Sequence, residues 1–133
     1  MNEPSYILDK EKIRDSEFMI SVYDHDLKIR FWNEPTCKRF NIPVSLAIGK
    51  CLTELFVNYS EDFRFQMMKD AVSLRKSFYL PAMPYTYSKG YYSQLILPVE
   101  EGIVIISAES DGYESTPRKV LLNAAVTQPL FAS

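Results

Sequence analysis

The chain is poor in the residues that metal and redox chemistry need. It has one histidine, His25, and two cysteines, Cys37 and Cys51. Two cysteines without an export signal read as buried or free thiols, not as a disulfide framework. Asp24, His25 and Asp26 are adjacent, but neighbouring side chains on an extended turn diverge, so they read as a structural turn and not as a metal site. Four glycines leave little scope for a dinucleotide fingerprint, and the chain has no phosphate loop, Gly-x-Ser-x-Gly elbow or His-Glu-x-x-His helix. The histidine has no identifiable serine or cysteine partner for nucleophilic catalysis. No apolar run approaches the roughly 18–20 residues that cross a bilayer. The opening MNEPSYILDK lacks the basic-then-apolar order of a secretory signal, and the initial Met1 fits a natural N-terminus. With a formal charge of −2 there is no basic surplus, so neither nucleic acid nor an anionic membrane is an expected partner. These absences leave a soluble cytoplasmic domain.

What the chain does have is apolar and aromatic side chains. At 133 residues it is long enough for one core, and 47% hydrophobic content excludes a disordered chain. Nine tyrosines and eight phenylalanines can fill a small core at high area per residue or line a ligand cavity. Residues 1–17 mix Tyr6, Ile7, Leu8 and Ile13 with charges, the pattern of a short amphipathic helix outside a sheet or of a solvated arm. Phe18, Ile20 and Val22 then alternate, as do Leu27, Ile29 and Phe31 against Lys28 and Arg30. This period of two predicts two half-buried strands joined by a hairpin turn at Asp24-His25-Asp26. Asn33 ends the second strand and can cap a helix that starts Glu34-Pro35. Asn41-Ile42-Pro43 stops that helix, Gly49 supplies a bend, and a further short helix runs through Phe56.

The order and spacing of Asp24, Leu27, Ile29, Asn33, Ile48-Gly49-Lys50 and Leu52-Thr53-Glu54-Leu55-Phe56 resemble the opening of a PAS domain. The likeness extends, more weakly, to about Glu109. It implies an α+β fold: a five-stranded antiparallel sheet in the order 2-1-5-4-3 with short helices over one face. Residues 1–17 form an N-terminal extension, 18–109 the PAS-like domain and 110–133 a C-terminal tail.

Glu61 to Arg75 reads as a helix, with Phe63, Met67, Ala71 and Leu74 on its apolar stripe, widened by Met68 and Val72; the resemblance implies that it lies across the sheet. Arg64 lies near that stripe. The preferred reading has it bury its stem and carry its head to water. The alternative turns it into a cavity to bind a carboxylate. Ser77 to Met83 follows as an edge strand, since Pro81 cannot donate to a ladder. A connection over Pro84 to Gly90 leads to a strand over Tyr91 to Leu97. Ile103-Val104-Ile105-Ile106, apolar on both faces, predicts a strand covered twice, and the resemblance implies that it is central. Arg118 to Val126 reads as a short helix, docked on its own domain, a second copy or another protein.

The resemblance implies sensing or signal relay by binding, without catalysis, through a small molecule or a signalling protein partner. If there is a pocket, it lies between sheet and helices, with Phe56, Phe63, Arg64, Met67, Tyr92 and Gln94 as candidate ligand-binding residues; the alternative for these positions is an ordinary filled core. The cofactor is left unknown. The long helix has no histidine for a haem iron, and neither Cys37 nor Cys51 sits in the Asn-Cys-Arg-Phe-Leu context of flavin-binding light sensors. Two rival readings stand beside the sensor: a ligand-free module that homodimerises through residues 1–17 and the outer sheet face, and a small cavity enzyme of isomerase type.

Overall fold

A computed structural model describes residues 6–85 and 88–127. The chain forms β1 (Ile7–Leu8), α1 (Lys10–Asp15), β2 (Met19–Asp24), β3 (Ile29–Trp32), α2 (Glu34–Phe40), α3 (Val44–Ala47) and α4 (Leu52–Leu55). A 3-10 turn (Tyr59–Glu61) precedes α5 (Phe63–Leu74). Then come β4 (Phe78–Tyr85), β5 (Ser88–Val99), β6 (Gly102–Ser110), α6 (Arg118–Asn123) and β7 (Val126–Thr127). The main sheet is antiparallel in the order β3-β2-β6-β5-β4, which is the expected 2-1-5-4-3. The apolar strand is central and the Pro81 strand lies at the edge. The hairpin of β4 and β5 is longer than the sequence suggested: both strands extend into the stretch read as a connection, leaving 86–87 between them.

Local chemistry accounts for the turns. Asp24 Oδ1 accepts from the backbone N–H groups of Asp26 and Lys28 at 2.9 and 3.0 Å, closing the β2–β3 hairpin. Asn33, almost fully buried, does more than cap α2. Its Oδ1 accepts from Ile20 N and Thr36 N, and its Nδ2 donates to the carbonyls of Ile13 and Phe18. One side chain thereby ties the end of α1, the start of β2 and the start of α2 together. Gly102 opens β6 at φ +150°, where a Cβ would stand 2.2 Å from the Tyr23 carbonyl oxygen, so no larger residue fits this approach.

Both faces of the sheet carry packed helices or tail segments. The outer face presents Ile20, Val22, Leu95, Leu97, Val99, Val104, Ile106 and Ala108 to Ile13 of α1 and to Leu121, Leu122, Ala125 and Val126 of the tail. The tail thus docks on its own domain. Its strand β7 pairs with β1, Ile7 opposite Thr127 and Leu8 opposite Val126. Further bonds hold the approach to α6: Thr116 N donates to Ser93 Oγ at 2.9 Å, Ala82 N to Ser115 Oγ at 2.8 Å, and Tyr79 Oη to the Thr116 carbonyl at 2.7 Å. On the inner face Tyr23, Ile29, Trp32, Ile96, Ile103 and Ile105 pack against Ala47, Leu52, Tyr59, Met68 and Ala71.

Two phase errors in the sequence reading are corrected here. Ile29 and Phe31 do not share a face. Val22 pairs with Phe31 and Tyr23 with Ile29, so Arg30 is the extra residue of a β-bulge that resets the alternation. Ile29 is fully buried on the inner face, whereas Phe31 is 37% exposed. On α5 the buried line is Arg64, Met68 and Ala71. Phe63 and Leu74, expected on the stripe, are 49% and 53% exposed. The helix is rotated so that Arg64, not Phe63, points inward, because a buried acceptor set awaits the guanidinium.

Candidate functional site

The inner face is where polar groups enter the core. Ser21, Gln94 and Ser107 replace aliphatic residues at inward positions of β2, β5 and β6, and all three are more than nine-tenths buried. With Met19, Tyr23, Thr36, Arg39, Phe40, Leu52, Tyr59, Tyr85, Tyr92 and Ile105 they enclose a cavity that leaves about 40 Å³ for the centres of water-sized molecules.

A hydrogen-bonded relay borders this space. Asp62 Oδ1 caps α5 by accepting from Arg64 N at 2.8 Å and lies 3.5 Å from Arg64 Nη1. Arg64 Nε donates to Gln94 Oε1 at 2.6 Å, and Gln94 Nε2 donates to Ser107 Oγ at 3.0 Å. Arg64 Nη2 also donates to the Pro84 carbonyl at 3.3 Å, and its Cζ lies 4.6 and 4.8 Å from the ring centroids of Phe63 and Tyr85. Arg64 is only 4% exposed. The expectation that its head would reach water is therefore overturned: three acceptors and two aromatic faces satisfy the charge inside.

The cavity mouth carries a second ion pair. Arg39 of α2 bonds Glu109 near the end of β6, and its guanidinium lies 5.7 Å from the ring centroid of Tyr92. Tyr92 Oη donates to the Lys89 carbonyl at 2.7 Å. Burial holds the phenols of this region in their neutral form: desolvation pushes Tyr23 up to about 12 and places Tyr59 and Tyr85 higher still. Tyr59 Oη donates to Met68 Sδ at 3.7 Å. Cys37 and Cys51 are free and part-buried, and desolvation raises both thiols above their ordinary value, which keeps them protonated.

Of the six positions singled out from the sequence, Tyr92 and Gln94 line the cavity and Arg64 grips it through Gln94. Phe56 stands behind it, 4.9 Å from Phe40 and 6.3 Å from Tyr59 between ring centroids. Met67 packs into the inner cluster, and Phe63 lies at the surface beneath the Arg64 guanidinium. Sequence reasoning missed Ser21, Thr36, Ser107, Arg39, Tyr59 and Tyr85. The one signal for Ser21 and Ser107 was a small polar residue inside a strand that is otherwise apolar on that side. Among the described residues no group of three or more histidine, cysteine, aspartate or glutamate side chains is arranged to hold a metal ion. No helix among them is long and apolar enough to cross a membrane.

No protein-family model matches the chain, and no curated protein matches it in sequence. Solved structures match its fold. It is similar to the PAS domain of the histidine kinase ThkA, at 16% identity and TM-score 0.61, covering 71% of this chain and all of that one. A sensory box sensor histidine kinase from Vibrio cholerae matches at 18% identity and TM-score 0.60, covering 77% of this chain and 89% of that one. The Rhodobacter sphaeroides LOV protein matches at 16% identity and TM-score 0.53, with 75% and 65% covered. The chain has the PAS fold.

Proposed function

We propose that the chain is a sensory or signal-relay module of PAS type, which works by binding a small molecule and has no catalytic step. The observation that carries this reading is the polar cavity on the inner face, bordered by a relay that ends on the central strand. Similarity to PAS domains of histidine kinases supports the sensory role, although a fold by itself does not fix function.

The site's chemistry narrows the ligand. Arg64 is matched by Asp62 and Arg39 by Glu109, so the field favours a neutral guest with both donors and acceptors. A water needs roughly 10–15 Å³ of such space, so the cavity suits about three waters or a molecule of three or four heavy atoms, such as a small amide. Flavin or haem needs a pocket in the range of about 300–1,000 Å³ and would have to displace Phe40 and Tyr59. Asp62, the carboxylate closest in kind to a general base, is engaged by Arg64 and the α5 cap, which speaks against the isomerase reading. The free thiols suit a cytoplasmic setting.

The signal would leave through the sheet. Gln94 and Ser107 face the cavity, while their chain neighbours Ser93, Leu95 and Ile106 face the tail. A guest that moves Gln94 biases the seat of α6 and β7, provided its contacts differ between the two states.

Acetamide serves as the probe. Titrated into the protein and followed by NMR, it should give saturable shifts of the Gln94 side-chain amide and the Ser107 resonances, and Gln94→Leu should abolish those of Ser107. Shifts that never saturate, or flavin or haem absorbance in freshly purified protein, would overturn the proposal.

A second reading, a homodimer or an interaction module for a signalling protein using residues 1–17 and the outer sheet face, draws support from Ile7 and Phe31, both exposed there. The tail already covers much of that face, so the contact would use the strip beside β3. Sedimentation velocity across a concentration series decides it: a fixed monomer mass rules the homodimer out.

A further inference from the structure

Away from the inner cavity, the outer face has an uncovered corner. The tail seals the sheet over β5 and β6, and α1 crosses beside β2. Between α1 and the β2–β3 pair lies a groove of about 500 Å³, lined by Leu8, Ile13, Val22 and Phe31 with Lys10, Arg14, Arg30 and Glu101. The β-bulge at Arg30 creates it. By resetting the alternation, the bulge brings Phe31 beside Val22 on the outer face and places Arg30 at the same groove.

The lining has two chemistries. Its floor is aliphatic and aromatic, with Ile13 and Val22 buried and Phe31 partly open. Its rim carries three cations against one carboxylate. Arg14 makes an exposed pair with Asp15 at 3.2 Å, a contact water largely screens. Among the described residues Lys10 and Arg30 are in no ion pair within 4.0 Å. A net positive rim over an apolar trough complements a molecule with an anionic head and a hydrocarbon chain. The volume lies in the range of ligand pockets, about 300–1,000 Å³.

We propose that this groove binds an amphiphilic carboxylate of the fatty-acid type, with the chain along Ile13, Val22 and Phe31 and the head at Arg30 and Lys10. The site is separate from the inner cavity and does not depend on what that cavity holds.

Dodecanoate, kept below its micelle concentration, is the probe, and backbone-amide NMR of the full chain is the readout. The expected result is saturable shifts at Ile13, Val22, Arg30 and Phe31 with the Gln94 and Ser107 signals unmoved. Shortening the probe to decanoate should weaken binding roughly fifteenfold, the equivalent of two methylenes at about 0.8 kcal/mol each. The double variant Lys10→Gln/Arg30→Gln, both surface changes, should weaken dodecanoate about tenfold or more while leaving the rest of the spectrum in place. Equal affinity for dodecyltrimethylammonium would overturn the proposal, as would shifts confined to the inner cavity. It would also fail if these amides responded only to protein concentration, or to an acidic amphipathic peptide and not to dodecanoate.

Discussion

The two faces of one sheet are built for different purposes. Residues adjacent in sequence, Ser21 and Val22, Gln94 and Leu95, Ser107 and Ile106, point to opposite sides. The outer members are aliphatic and are sealed by α1, α6 and β7. The inner members are hydroxyls and an amide around a small cavity. Apolar burial is non-directional and tolerant, whereas each buried polar group demands a partner. The outer face is therefore mainly what holds the fold together, whereas the inner face carries the polar groups around its cavity.

The sharpest way to break this division is to remove the outer cover. A chain ending at Thr116 would expose Leu95, Leu97, Val99, Val104 and Ile106 together. It should lose cooperative unfolding or aggregate, read as a lost transition in circular dichroism; a soluble, cooperatively folded product would show that the tail is an ornament. On the inner face the largest effect should come from Arg64→Met, which leaves Asp62 buried without its cation. Breaking a buried pair this way costs about 3–5 kcal/mol, and adding Asp62→Asn should restore part of it in denaturant titrations. Leu121→Ala on the outer side should cost about 3 kcal/mol, within the usual range for a buried leucine.

Alkaline pH separates the faces without mutation. Tyr23 is raised from 10.0 to about 12 by burial, and Tyr59 and Tyr85 are raised further. An unfolded chain releases these protons near pH 10, so between pH 10 and 12 the folded form binds more of them. Stability is thus intact below about pH 10 and falls as pH rises through that window. Phenolate absorbance of the inner tyrosines should appear only as the protein unfolds. The smallest change is expected from Glu109→Gln. Its pair with Arg39 is partly exposed on both sides and is worth about 0–1 kcal/mol in stability. Yet it stands at the cavity mouth, so acetamide should enter the variant faster.

How far the sequence carried differs by face as well. Strand order came from the family resemblance, whereas the edge position of the Pro81 strand and the Asp24 turn were legible because proline and turn chemistry are local signals. The bulge at Arg30 was not, since a strict alternation through Phe31 reads equally well without it. The phase of α5 was missed for a related reason. Counting Phe63 and Leu74 as buried went with the preferred reading, in which the Arg64 head reaches water, and the partners Gln94 and Pro84 that hold the head inside lie far along the chain. Tyr92 and Gln94 came from family position, whereas Ser21 and Ser107 needed the register of β2, β5 and β6.

The central claim is that the inner face reports to the tail through the sheet. Hydrogen exchange of the β1–β7 amides tests it most directly, comparing the protein with Gln94→Leu and with the acetamide complex. The account predicts altered protection at Leu8 and Thr127, through the Leu95–Ile106–Leu121 contact, with amides of the remote α3 unchanged. Identical protection of the β1–β7 pair in all three samples would contradict it, leaving a cavity with no route to the tail.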